Sequence, residues 1–144
     1  MKVLFLHGLE SKPGGKKATF LKDNGHTVSN PALPKEPFDI SVKIAQDVIN
    51  YEKPDVVVME CMAVQPQYQW ISEHQMVKSD IGVITNARPD HLDEMGPTEQ
   101  DVAKSLCNSI PTNGTLITAE QKHKSIMQSV ANSNKTNIVF SDES

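Results

Sequence analysis

Aromatic residues are scarce, at 5% of 144 positions. A core of stacked rings is thereby excluded, and the interior must rest on Val, Ile, Leu, Met and Ala, which a chain of this length can assemble. Cysteine is scarcer still. Two residues cannot form a disulfide framework, which points to a reducing, cytoplasmic setting. No apolar run approaches the roughly 20 residues that span a bilayer, so no membrane partner is expected. The opening MKVLFLHGLE is too brief for the ~7–15-residue centre of a secretory signal and reads as a first buried strand. A basic surplus is also missing. Fourteen Lys+Arg against eighteen Asp+Glu leave a net charge of −4, which excludes a broad cationic face and general nucleic-acid binding.

What is present is an alternation of strand-length apolar runs with segments of helical period, the pattern of a parallel sheet wrapped by helices. Val3 to Leu6 reads as the first strand, Lys16 to Lys22 as a helix stopped by Asn24-Gly25, and Thr27-Val28 as a weak second strand. Ile40, Ile44, Ala45, Val48 and Ile49 share one helical face, and that helix ends before Pro54. The β-branched run Val56 to Val58 predicts a third strand buried on both faces. A helix bearing Trp70, Ile71 and Val77 follows, with Trp70 and Tyr68 packed on the sheet, and Ile81 to Thr85 form strand four. Thr98 caps a helix whose Val102, Ala103, Leu106, Cys107 and Ile110 form an apolar stripe. Thr115 to Thr118, a helix with Ile126, Met127, Val130 and Ala131, and Ile138 to Phe140 complete six strands. The expected fold is a single α/β domain, a Rossmann-like three-layer sandwich of mostly parallel strands.

FLHGLESKPGGKKATFL, the NPALP stretch and KPDVVV resemble the N-terminal part of a small bacterial α/β-hydrolase family of esterases, over residues 1–57. In that family the third strand runs into a nucleophile elbow of the G-x-S-x-G type. The resemblance places Cys61, within Met59-Glu60-Cys61-Met62-Ala63, where the catalytic serine would stand. It also places His7-Gly8 in the loop that shapes the oxyanion hole, with backbone amides near Leu9 as donors. Met59 replaces the small residue that lets the elbow turn.

From residue 57 onward, MECMAVQPQYQW, IGVITNARPDHLDEMGPT and IPTNGTLITAE resemble the central domain of the poly-γ-glutamate synthetase family, relatives of the Mur amide ligases. Such ligases activate a carboxylate with ATP and let an amine displace the phosphate. The resemblance implies that Glu60 helps hold magnesium and that His91, in N-x-x-x-D-H-L-D, bears on a second metal. Asn86 then matches a nucleotide-proximal asparagine, with Asp90 and Asp93 the motif's acidic members. All are expected beyond the carboxyl ends of strands three and four, where open parallel sheets place their ligand crevice. The family's P-loop, C-terminal domain and membrane anchor are expected to lie outside these 144 residues.

The two resemblances together imply a hybrid, natural, engineered or computed, joined inside equivalent central strands and without the full apparatus of either parent. A substitute phosphate loop is offered by Gly14-Gly15-Lys16-Lys17, which follows strand one and opens a helix. Aligning Gly15-Lys16 with G-x-x-x-x-G-K-[ST], however, puts Glu10 at the first glycine and Lys17 at the hydroxyl position. No cofactor is required on this reading, and ATP with Mg²⁺ is the one it admits, weakly held because Mg²⁺ prefers oxygen ligands completed by phosphate and water. The alternatives are an amide-ligase remnant, an esterase using Cys61, or a small acidic binding or inhibitor protein. The last follows from charge. Residues 1–57 carry eight Lys against seven acids, whereas 58–144 carry six Lys+Arg against eleven acids, net +1 and −5, and an acidic flank attracts a basic protein partner.

Overall fold

A computed structural model describes residues 1–8, 11–35 and 37–141. Two compact units divide the chain, Met1–Met62 and Ala63–Ser144. The α/β class and the parallel strands are as expected. Hydrogen bonding among the described residues arranges the six strands as two sheets of three, ordered β2-β1-β3 and β4-β5-β6.

In the first unit, β1 (Lys2–Leu6) lies between β2 (Thr27–Ser29) and β3 (Val56–Met59), with Val3 facing both Val28 and Val56. Parallel neighbours need crossovers, here α1 (Lys16–Asp23) and α2 (Phe38–Glu52). Gly25 at φ 84° turns the chain out of α1, and Lys53 at φ 48° ends α2 just before Pro54, since a residue preceding proline is pushed out of helical conformation. The middle position of β1 buries Val3, Leu4, Phe5 and Leu6.

The expectation for Val56 to Val58 is overturned by topology. β3 is an edge strand, and Val57 is 44% exposed. A β-branched run favours extended backbone but does not say which strand takes the centre. The stripe on α2 is likewise only partly covered, with Ile40 and Ile49 exposed and Ile44, Ala45 and Val48 half-buried.

In the second unit, β5 (Thr115–Thr118) lies between β4 (Ile81–Ile84) and β6 (Asn137–Phe140). Helix α3 (Pro66–Ile71) widens into a π turn over Ser72–Val77, α4 (Leu92–Met95) is a single turn, α5 (Glu99–Leu106) tightens into a 3₁₀ turn at Cys107–Ser109, and α6 is Lys124–Ser133. Thr98 caps α5 as expected, its Oγ1 accepting from the Asp101 N–H at 3.2 Å. The core is Ile84, Cys107, Ile110, Leu116, Met127 and Ala131. Its two strand residues, Ile84 and Leu116, point to the same face of the sheet, because alternate strand residues point to opposite sides. On the other face Ile81, Val83, Ile117 and Val139 are exposed.

Tyr68 and Trp70 are exposed and do not pack α3 onto the sheet. Between them Gln69 is buried, with Nε2 donating to the Ala63 carbonyl at 3.1 Å and Oε1 accepting from Ser105 Oγ at 2.9 Å. No helix among the described residues is long and apolar enough to cross a membrane.

Candidate functional site

The first unit gathers functional groups where β1 and β3 end. Glu60 follows β3 directly, and its Oε2 accepts the Gly8 N–H at 2.8 Å. Its other oxygen pairs with the ammonium of Lys17, one residue into the helix beyond Lys16. The Lys17 ammonium holds the Glu60 carboxyl below the usual carboxylate range; partial burial opposes this and the Gly8 N–H reinforces it. A Cβ at Gly8 would lie 2.3 Å from Met62 Sδ and 3.3 Å from Glu60 Oε2, so a larger residue here would have to push the Met62 side chain aside.

His7 is buried with both ring nitrogens engaged. Nδ1 lies 2.9 Å from the Gly8 carbonyl and Nε2 lies 3.4 Å from the Leu33 amide. The Leu33 N–H donates to Nε2, so Nδ1 carries the proton and donates to Gly8. An imidazole committed to two backbone groups has no nitrogen left to act as a base. Cys61 is exposed and has no hydrogen-bond or ion-pair partner among the described residues. The residues from 60 to 65 form no helix, and Cys61 is not among the positive-φ residues. The strained strand-to-helix elbow expected around Cys61 is therefore not formed, for want of the small residues such a turn needs. The oxyanion donors near Leu9, and Glu10 of the phosphate-loop alignment, lie outside the described residues.

Gly15 is the N-cap of α1 and Lys16 its first residue. The Gly14 amide is already taken by Asn30 Oδ1 at 2.8 Å, and Asn30 Nδ2 donates in turn to the Phe5 carbonyl at 2.8 Å. An open, largely apolar cleft of about 460 Å³ lies alongside, lined by Phe5, Lys16, Lys17, Phe20, Leu21 and Val58.

The second unit carries the N-x-x-x-D-H-L-D residues on the loop after β4 and on α4. Asn86 is half-buried, whereas Asp90, His91 and Asp93 are exposed. His91 adopts φ 46° as it opens α4, and its Nε2 lies 3.6 Å from Asp90 Oδ1. What anchors this loop is Glu120, 5% exposed, just after β5. Its Oε2 accepts the Ala87 N–H at 2.7 Å and its Oε1 the His123 N–H at 2.9 Å. Burial by itself would raise this carboxyl, but the backbone donors Ala87, His123 and Lys122 outweigh it and bring it below the usual range. His123 is buried too, and its Nε2 and Lys122 Nζ both reach Glu99 Oε1, at 3.0 and 2.8 Å.

Glu60 is paired with the Lys17 ammonium, so a divalent ion at that oxygen would have to displace it. Among the described residues no group of three or more His, Cys, Asp or Glu could hold a metal ion. The sequence reading missed Lys17 as the partner of Glu60, because a contact between residues 43 apart has no local signature. It also missed Glu120, whose one local signal is an acid placed before a helix start.

The profile of the Mur ligase middle domain matches residues 10–144. The chain belongs to the Mur ligase middle-domain family. Among curated relatives, the capsule biosynthesis protein CapB of Bacillus anthracis is 39% identical over 103 residues, covering 72% of this chain and 21% of that protein. The PGA synthase CapB of Bacillus subtilis (strain 168) is 36% identical over 90 residues, covering 62% and 23%. The chain thus spans about a fifth of the length of these relatives.

Two solved structures share the Mur-type fold. One is E. coli FolC in complex with DHPP and ADP, at TM-score 0.56 and 19% identity, covering 74% of this chain and 24% of that one. The other is an FPGS–AMPPCP complex, at TM-score 0.59 and 13% identity, covering 96% and 45%. The family match crosses the expected seam at residue 57 without a break, and nothing in the comparisons supports an α/β-hydrolase segment.

Proposed function

We propose that the chain is a middle-domain piece of an ATP-dependent amide ligase of the poly-γ-glutamate synthase type. It holds a nucleoside triphosphate weakly. The observation that carries this reading is the family match over residues 10–144 together with the identity to the two CapB proteins. Further support comes from the folylpolyglutamate synthase neighbours, whose structures hold ADP and AMPPCP.

Asn86, Asp90 and Asp93 are the residues assigned to the nucleotide side, with Gly15 and Lys16 on the phosphate side. Glu60 keeps the metal-facing role that the family likeness gives it only where a phosphate-bound ion displaces Lys17, and His91 is assigned separately to a second metal. A thermal-shift titration tests the reading. ATP at several times its dissociation constant should raise Tm by about 2–4 °C, because a ligand bound only by the native state stabilises it. The Lys17–Glu60 pair leads us to expect little further gain from added Mg²⁺. No shift at about 10 mM ATP, with or without Mg²⁺, removes the reading.

A further inference from the structure

We propose that Glu120 is a positioning residue that fixes the loop carrying Asn86, Asp90 and His91 in the conformation that receives nucleotide. The proposal rests on the nucleotide reading above and adds a residue to it.

The argument begins with where the carboxylate sits. Glu120 is 5% exposed, at the carboxyl end of the central strand β5, and the Ala119 N–H just before it donates to the Thr85 carbonyl at 3.2 Å. Past that point no further ladder bond joins β4 and β5 among the described residues, and the loop after β4 would be free to splay. Glu120 takes over the pairing. Oε2 holds the Ala87 N–H at 2.7 Å and Oε1 holds the His123 N–H at 2.9 Å. The Glu120 amide itself donates to Thr118 Oγ1 at 3.1 Å, which sets the direction in which the side chain leaves the strand.

A buried carboxylate that accepts from two separate loops makes charge-assisted bonds, which are shorter and stronger than neutral ones. Ala87 is itself buried, so the residue next to Asn86 is held by its backbone and by packing together. Asn86 can then project from a fixed point, while Asp90 and His91 remain exposed further along the loop. A core role alone does not require this arrangement. An apolar residue at 120 would fill the space, but it would leave the Ala87 and His123 amides buried without an acceptor.

The test uses the full chain with Glu120→Gln, which conserves volume but turns one acceptor into a donor facing an N–H. Amide exchange by NMR is read at Ala87 and, as the internal reference, at Leu116 within β5. ATP affinity is read on the same samples. The expected result is exchange at Ala87 faster by about tenfold with Leu116 unchanged, and ATP binding weaker by about fivefold or more. Glu120→Asp, shorter but still anionic, should recover part of both effects, and it serves in place of the Gln variant if that one does not fold.

Equal acceleration at Ala87 and Leu116 would show that Glu120 only stabilises the unit, and the proposal falls. It falls also if Ala87 loosens while ATP binds as before. If the unaltered chain binds no ATP, the nucleotide reading is what fails. Protection at Ala87 then decides by itself whether Glu120 fixes the loop.

Discussion

The ammonium of Lys17 and the carboxylate of Glu60 meet where β1 and β3 end, joining residues 43 apart in sequence, while the Gly8 amide holds the second carboxylate oxygen. The pair closes the start of α1 onto the end of β3 and occupies the place at Glu60 that a divalent cation would need.

Its contribution can be read by pH. Glu60 is held below its ordinary value of 4.5, so the stability it adds is fully present above that value and is lost as pH falls through the depressed one. In Lys17→Met, the Glu60 carboxyl midpoint followed by ¹³C NMR should move up toward 4.5. The loss of stability near neutral pH should stay under about 1 kcal/mol, because Lys17 is 73% exposed and water screens the pair. An unmoved midpoint would show that Lys17 is not the cause of the depression.

The two thiols should separate cleanly. Cys61 is exposed, whereas Cys107 is buried among Ile110, Leu116 and Met127, and burial pushes its thiol up to about 11. The thiolate is the reactive form. Ellman's reagent on the native chain at mildly alkaline pH should therefore titrate one thiol quickly and the second only on unfolding. Cys61→Ser should abolish the fast phase. Two fast equivalents would mean that the α5 end of the core is open.

Glycines differ in what crowds them. A Cβ on Gly114 would stand 2.6 Å from the Asp80 carbonyl, which also accepts the Thr115 N–H at 2.9 Å at the start of the β4–β5 ladder. Backbone cannot move aside there. On Gly8 the first obstacle is the flexible side chain of Met62. Gly114→Ala should cost about 1–3 kcal/mol in denaturant unfolding and Gly8→Ala less. The reverse order would contradict the packing described.

The buried pair Gln69 and Ser105 calls for a double-mutant cycle. Ser105→Ala leaves Gln69 Oε1 without its 2.9 Å donor and should cost about 1–3 kcal/mol. Gln69→Leu removes both partners' bond and also strips the Ala63 and Val64 carbonyls of their donor. It should cost more, and the double variant should fall short of the sum. Additive losses would mean the two side chains are not coupled.

How much of this was legible in advance depends on the range of the interaction. The Thr98 cap and the glycine stop after α1 are local patterns that the structure reproduces, and the stripe Val102, Ala103, Leu106, Cys107 and Ile110 is reproduced only through Leu106, where the helix tightens into a 3₁₀ turn. The π widening at Ser72–Val77 and the single turn Leu92–Met95 were not foreseen, since neither has an apolar period of its own. At the candidate site, Glu60, Asn86 and His91 are identified by motif alone. The fates of His7 and Cys61 needed coordinates. His7 has the residue type of a general base, yet only the fold shows both of its nitrogens committed to Gly8 and Leu33.

The amino-acid order on its own determined six strand-forming runs, the helices between them, the α/β class and membership of a ligase lineage, because propensity, capping and motif spacing act over a few residues. Tertiary structure alone decided that the strands separate into two sheets, that Val57 lies at an edge, and that Lys17 and Glu120 organise the loops around Glu60 and Asn86. Those outcomes turn on which distant segments meet, and such meetings are set by the burial and pairing of the whole chain rather than by any neighbourhood within it.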